Sequence, residues 1–393
     1  MTSPIEWGGR KSREILLFDL DAVLLTSEGY YESLRQAVAL ISSSLGFSPI
    51  RLSQSEIDVF ESLDITAEWD SSALCTALLL ARAWQADSQL TLPERLPLPP
   101  AAPHGMPLPD FRAFALSLAD GRGRVERPLD LAYERLVTPE RFLSGTQIEV
   151  LDRVLHQARD PQRSLTFHLI QELNLGSDLY AQMYARPGVL GTPGMLATRD
   201  RPTLSLAERA RLDEWRKADR HHAAVITNRP SRSRGRLFNT PEAEIGIHVA
   251  GLDGWPFISS GALGWFAERN GLPSQAYLKP SPVHILAGLR VSVDGDVEAA
   301  LAAAHTLVTS GETRDPWVPF HGARVAVFED AAKGMRGALA ARGALAAIGV
   351  DLDLELYGIA QSPEKSRALK TLEARVFDSI QSALGEALHD DNP

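Results

Sequence analysis

Four short segments carry acidic, hydroxyl or ammonium side chains next to apolar residues: Phe18-Asp19-Leu20-Asp21, Val225-Ile226-Thr227-Asn228-Arg229-Pro230, Leu278-Lys279-Pro280-Ser281-Pro282 and Val327-Phe328-Glu329-Asp330. In extended backbone, successive side chains alternate, so Asp19 and Asp21 point the same way while Leu20 points into a core. Two carboxylates side by side repel unless a cation joins them. Glu329 and Asp330 bring further oxygens. Oxygen ligands without His or Cys favour Mg²⁺, so the expected metal ligands are Asp19, Asp21, Glu329 and Asp330. A carboxylate such as Asp19 can also attack a phosphoryl group and form an aspartyl-phosphate. The charge spreading through that transition state needs fixed cations and donors. Mg²⁺ and Lys279 supply positive charge. The Thr227 hydroxyl and donors near Asn228 are suited to hold phosphate oxygens.

Each segment alone has a plainer reading. A D-x-D after a strand is usually a solvated turn, and a T-N there is usually a helix N-cap. Lys-Pro is usually a turn, and Glu-Asp a helix start. The chain holds two more acidic pairs, Asp294-Gly295-Asp296 and Asp351-Leu352-Asp353. What discriminates is the order of all four segments, because Asp351-Leu352-Asp353 has too little chain after it to supply the other three.

Three of the segments end a predicted strand. The apolar run Glu14 to Phe18 suits a parallel strand buried on both faces. Similar runs cover Ala223 to Ile226 and Val325 to Phe328, with weaker ones at Ile245 to Val249 and Leu345 to Val350. Helical patterns fall at Gly261 to Arg269, Val283 to Leu289 and Lys333 to Ala341. Alternation of this kind predicts an α/β, Rossmann-like doubly wound parallel sheet, whose ligands bind at the carboxyl ends of the strands. Between the first and second strands the chain reads helical, at Tyr30 to Leu45, Ser53 to Leu63, Ser71 to Gln85, Phe111 to Leu118, Gly145 to Ala158, Ser164 to Leu173 and Leu206 to Lys217. The expected organisation is a core of 1–26 and 217–393 with a mostly helical cap, 27–216, inserted into it. Within the cap, 92–109 is too rich in proline for a helix or central strand and reads as an exposed, mobile or polyproline-like loop.

A chain of 393 residues is long enough for about two domains, and 44% hydrophobic with 23% charged residues is a globular balance. The net charge of -10 disfavours nucleic acid and anionic membrane as partners. The single Cys75 excludes an intrachain disulfide and a thiolate zinc site, and its apolar neighbours read as a buried helix face. Met1 to Arg13 is polar, without an apolar signal core, and no stretch is long enough to span a membrane. The expectation is a soluble cytoplasmic protein. His221-His222 reads as an exposed or packed pair rather than a metal site, Trp255 and Trp265 as core, and Asp70 as near a helix N-cap, with substrate selection by the Trp69-Asp70 loop as the alternative. Basic usage is lopsided: 34 arginines against six lysines, Lys11, Lys217, Lys279, Lys333, Lys365 and Lys370. A lysine kept in such a sequence points to a need for a compact ammonium.

The four segments together resemble the signature motifs of the haloacid dehalogenase superfamily. Asp19, Asp21, Thr227, Lys279 and Asp330 match residue by residue, with Glu329 beside them. Glu329-Asp330-Ala331-Ala332-Lys333-Gly334-Met335 is similar to the E-D-S-x-x-G-I form of the phosphoglycolate phosphatase and β-phosphoglucomutase branch, and the insertion resembles that branch's helical cap. The resemblance implies a nucleophilic aspartate at Asp19, an acid/base at Asp21, and a Lys and an acidic pair serving phosphate and Mg²⁺. Two positions depart from the pattern. Ala22 stands where the family usually has Gly, in a turn that should be slightly less free. Tyr31 stands where mutase relatives carry His, which favours hydrolysis over phosphoryl shuttling. Asp21 also speaks against dehalogenase and phosphonatase branches, which lack a carboxylate there. Phosphate esters need a protonated leaving oxygen, which Asp21 can supply. The implied activity is a phosphatase on a small phosphorylated metabolite. The alternatives are a phosphomutase or a non-catalytic ligand-binding protein on the same fold.

Overall fold

The run Glu14–Phe18 forms β1, buried along its whole length because both faces are covered. Around it lie β2 (His221–Ile226), β3 (Phe257–Ile258), β4 (Arg324–Glu329), β5 (Asp353–Ile359) and β6 (Arg375–Phe377), all parallel, in the order β3-β2-β1-β4-β5-β6. The order reverses between β1 and β4, the switch point where open α/β sheets bind ligands. Phe18 is level with Val225 on one side and Phe328 on the other, so Asp19, Thr227 and Glu329 leave the sheet at one edge. This is a computed structural model, and it describes residues 12–63, 65–119, 125, 127–138, 143–311 and 314–388. The polar N-terminal stretch up to Lys11 lies outside the described residues.

The chain divides into two compact units, Met1–Thr26 with Arg201–Pro393, and Ser27–Asp200. The second unit is helical: α1 (Glu28–Ser44), α2 (Gln54–Ser62), α3 (Glu68–Ala83), α4 (Phe111–Leu118), α5 (Pro128–Leu136), α6 (Gly145–His156), α7 (Leu165–Leu175), α8 (Ser177–Tyr184) and α9 (Met195–Arg199). Its core includes Leu34, Val38 and Ile41 from α1, Leu74 and Leu80 from α3, and Leu169, Ile170 and Leu173 from α7. Ser53 and Ser144 cap α2 and α6 in reciprocal capping boxes with Glu56 and Gln147, which explains why those helices start where they do. The two ends of this unit are tied together. Gly29 N donates to Asp200 Oδ1 at 2.7 Å, and a Cβ on Gly29 would come within 2.8 Å of the Leu196 backbone. Within the sheet unit, Leu25 bridges Pro202.

The proline-rich stretch is irregular and largely exposed, but it is held down. Ala101 N and His104 N donate to Ser43 O and Gly46 O, Arg82 Nε donates to Pro107 O, and the His104 ring packs edge-on to Phe47 at 4.3 Å. Gly46 sits at φ +80°, and a Cβ there would meet Ala102 O at 2.6 Å, so the approach of the loop needs glycine. Asp70 lies in the first turn of α3, near its N-cap Ala67 as expected, and accepts two hydrogen bonds from Arg159, at 2.9 and 2.6 Å, which ties α3 to the segment after α6. Cys75 is buried, and burial pushes its thiol well above the ordinary range, so it is unreactive.

The sheet unit holds α10 (Leu206–Trp215), α11 (Glu242–Ala250), α12 (Ser260–Arg269), α13 (Pro282–Asp294), α14 (Val297–Ser310), α15 (Ala332–Ala347), α16 (Pro363–Lys370) and α17 (Ile380–Ala387). Three sequence expectations are corrected here. Residues 201–216, expected in the insert, pack with the sheet: Leu212 is buried with Ala223, Val225 and Trp255, and Trp255 Nε1 donates to Asp213. The run Ile245 to Val249 is not a strand but part of α11, whose buried residues Ala243, Gly246, Ile247 and Ala250 recur every three or four positions. Leu345 to Val350 is not a strand either. It is the end of α15 and a turn at Gly349 (φ 72°), and the strand starts later, at Asp353. His221 stacks on Trp215 at 4.3 Å and meets its carbonyl at 2.8 Å, a packed residue as expected. No helix among the described residues is long and apolar enough to cross a membrane.

Candidate functional site

Lys279 is the centre of the site. Its ammonium is buried at 3% exposure, 2.8 Å from Asp19 Oδ1 and 2.6 Å from Glu329 Oε1, and it donates to Ile226 O at 3.0 Å. It thus links the ends of β1, β2 and β4. Burial alone would lower its pKa, but the charges of Asp19 and Glu329 reverse this and raise it, so it stays an ammonium. Burial raises Asp19 above the usual carboxylate range, with Lys279 opposing. Burial and the charge of Asp19 raise Glu329 well above its range, again with Lys279 opposing. Such a cluster is costly to keep dry, and side chains bury charge of this kind chiefly where a site needs it.

Asp330 completes the group. Oxygens of Asp19, Glu329 and Asp330 all lie within 4.8 Å of one another. Glu329 Oε2 is buried and accepts no hydrogen bond among the described residues, while Oε1 lies 2.6 Å from the Lys279 ammonium. An orphaned carboxylate oxygen beside two more carboxylates is what a hard cation would satisfy, so these three residues could hold a metal ion. Gly334 makes room for them. A Cβ there would fall 2.1 Å from the Glu329 carboxyl carbon.

Asp21 does not join the cluster, contrary to its expected place among the metal ligands. It leaves the turn toward Arg229, which is buried and grips it with two hydrogen bonds, Nε to Oδ2 at 2.9 Å and Nη2 to Oδ1 at 2.6 Å. The bidentate grip outcompetes a turn inward toward two more carboxylates. Gly246 of α11 admits the guanidinium, since a Cβ there would come within 2.9 Å of Arg229 Nη1. Thr227 is fully buried, and its hydroxyl accepts from Arg229 N at 3.0 Å, which leaves the hydroxyl proton to donate. Asn228 Oδ1 is buried without a hydrogen-bond partner among the described residues. His284 is buried behind Lys279. Burial and the charge of Lys279 hold its imidazole well below its usual range, so it adds no charge there.

Sequence reasoning missed three neighbours: Arg229 on Asp21, His284 behind Lys279, and Lys365, whose Nζ lies 2.8 Å from Asp330 Oδ2. Arg229 follows Thr227-Asn228 directly, and Lys365 is one of only six lysines, so signals existed for both.

No family model matches the sequence, and no curated protein is significantly similar to it. Among solved structures, the Northeast Structural Genomics Consortium target ZR25 superimposes with a TM-score of 0.56 at 15% identity, over 96% of this chain and 99% of that one. This similarity shows the fold. Phosphatase Tt82 from Thermococcus thioreducens reaches a TM-score of 0.43 at 15% identity, over 92% of this chain and 100% of that one, and no residue correspondence follows at that level.

The turn after Asp21 yields a stability prediction. Ala22 adopts φ 56°, in the left-handed region. A Cβ there costs about 1–2 kcal/mol, part of which glycine returns as unfolded-state entropy. Ala22→Gly should therefore stabilise the protein by about 0.5–1 kcal/mol. The measurement is the denaturant midpoint. A lower midpoint would mean that the Ala22 methyl makes contacts worth more than its strain.

Proposed function

We propose that this protein is a Mg²⁺-dependent phosphatase that hydrolyses a small organic phosphomonoester through an aspartyl-phosphate on Asp19, in the manner of the haloacid dehalogenase superfamily. The observation that carries this reading is the buried Lys279 ammonium between Asp19 and Glu329, with Asp330 completing three carboxylates at the switch-point edge of the sheet. Asp19, Glu329 and Asp330 would hold the cation, which when bound would draw charge from the phosphoryl oxygens. In this reading Asp19 Oδ attacks phosphorus as the ester oxygen leaves. Lys279 keeps that carboxylate placed and offsets the repulsion between it and the phosphate. Thr227 and Asn228 hold phosphate oxygens, the first through its hydroxyl proton. Asp21 gives a proton to the leaving oxygen and later takes one from the water that hydrolyses the aspartyl-phosphate. To carry that proton it must give up at least one of its two Arg229 hydrogen bonds, because both of its oxygens now accept from the guanidinium.

Tyr31, at the position of the mutase histidine, donates its hydroxyl to Glu61 at 2.7 Å. That supports hydrolysis over phosphoryl shuttling. A panel of phosphorylated metabolites tested with Mg²⁺ should show phosphate release from at least one. The release should vanish with a strong chelator and return with Mg²⁺. Undiminished activity in metal-free buffer would reject the site as described.

A further inference from the structure

Lys365 sits in the first turn of α16, where its backbone N–H donates to the capping Ser362 hydroxyl at 3.2 Å. The helix gains nothing from an ammonium there, since the first turn is the positive end of its dipole. The compensation comes from outside the helix, in the 2.8 Å contact with Asp330. Two of six lysines thus serve one carboxylate cluster, Lys279 on Asp19 and Glu329, and Lys365 on Asp330. Elsewhere the less exposed paired carboxylates Asp21, Asp70 and Glu355 are met by arginine, and lysine meets a carboxylate at the exposed pair Lys217–Glu214.

The two ammoniums differ in burial. Lys279 is 3% exposed and also bonded to a strand carbonyl, whereas Lys365 is 32% exposed on a flexible four-carbon stem. The first is fixed and the second can swing into water. Three carboxylates against two ammoniums leave one negative charge. A dication replacing Lys365 brings the cluster to neutrality, so the exchange is electrostatically reasonable. An arginine at this position could grip Asp330 through two hydrogen bonds and would be harder to displace.

We propose that Lys365 is a displaceable counter-cation: it neutralises Asp330 until a divalent cation takes that oxygen, and so it sets how tightly the cation is held. This rests on reading the cluster as a divalent-cation site. The test is calorimetric titration of Mg²⁺ into the parent, Lys365→Gln, Lys365→Arg and Asp330→Asn, with melting curves in metal-free buffer. Lys365→Gln should bind Mg²⁺ about threefold tighter or more, the range of a partly exposed ion pair. It should also melt lower than the parent without Mg²⁺. Lys365→Arg, which keeps the charge, should bind Mg²⁺ no tighter than the parent. Unchanged or weaker Mg²⁺ binding by Lys365→Gln, with binding lost in Asp330→Asn, would overturn the role of Lys365 and leave the metal site standing. If the parent binds no Mg²⁺, or Asp330→Asn binds as well as the parent, the metal site and this proposal fall together.

Discussion

Asp19→Asn is expected to fold and to lose phosphatase turnover by about four orders of magnitude or more, the usual scale for deleting a nucleophile. An amide is a far poorer nucleophile than a carboxylate. The shape is conserved, and the amide oxygen can still accept from Lys279, which keeps Glu329 as its charged partner at 2.6 Å. Loss of activity therefore should not come from collapse of the site. The measurement is turnover of a chromogenic phosphate ester with Mg²⁺, paired with thermal melting. Substantial hydrolysis by a well-folded variant would remove Asp19 from the chemistry.

Lys279 should be nearly as sensitive, in activity and stability together. Arginine carries the same charge, but it is planar, forked and larger. The space between Asp19, Glu329 and Ile226 O fits a compact head that meets all three within 3.0 Å. A guanidinium there should displace the carboxylates by about an ångström, enough to cost about a hundredfold in rate. Lys279→Ala should be worse. It leaves Asp19 and Glu329 buried without their cation, a loss of about 3–5 kcal/mol for breaking a buried ion pair. Turnover of both variants, with denaturant midpoints, separates the two effects. Near-parent turnover in Lys279→Arg would show that the compact shape of the ammonium is not needed, and near-parent turnover in Lys279→Ala would remove Lys279 from the chemistry.

The residues of the site were legible where an apolar run led up to them. Asp19, Thr227 and Asp330 each directly follow a strand and Glu329 ends one, and the buried stretches of such strands advertise themselves by continuous hydrophobicity. The pairing of Asp21 with Arg229 was not legible, because 208 residues separate them and no periodic pattern links them. Two elements were misread for a related reason. Ile245 to Val249 is as apolar and β-branched as a strand, and the helix face shows only when the buried residues Ala243, Gly246, Ile247 and Ala250 are taken together over a longer stretch. The true β5 begins at Asp353, and its first residues are exposed or half-buried, so it lacks a uniform apolar signal. The proline-rich stretch was readable as irregular, but its anchoring at Gly46 and Ser43 depends on tertiary contacts.

The tie between Gly29 and Asp200 bears on how the chain assembles. Strands β1 and β2 are neighbours, with Glu14 opposite His221, yet the entire helical unit is strung between them. Closing a disordered loop of about two hundred residues costs some 2–3 kcal/mol more than closing one of about ten. Helical units rich in local contacts form quickly. Once this one has formed, its joined ends, 2.7 Å apart from Gly29 N to Asp200 Oδ1, make it a short connection as far as the sheet is concerned. The order of synthesis then differs from the order of completion. β1 leaves the ribosome first, but as a central strand it waits for β2 and β4, and the helical insert turns the first of those waits into a near-local event.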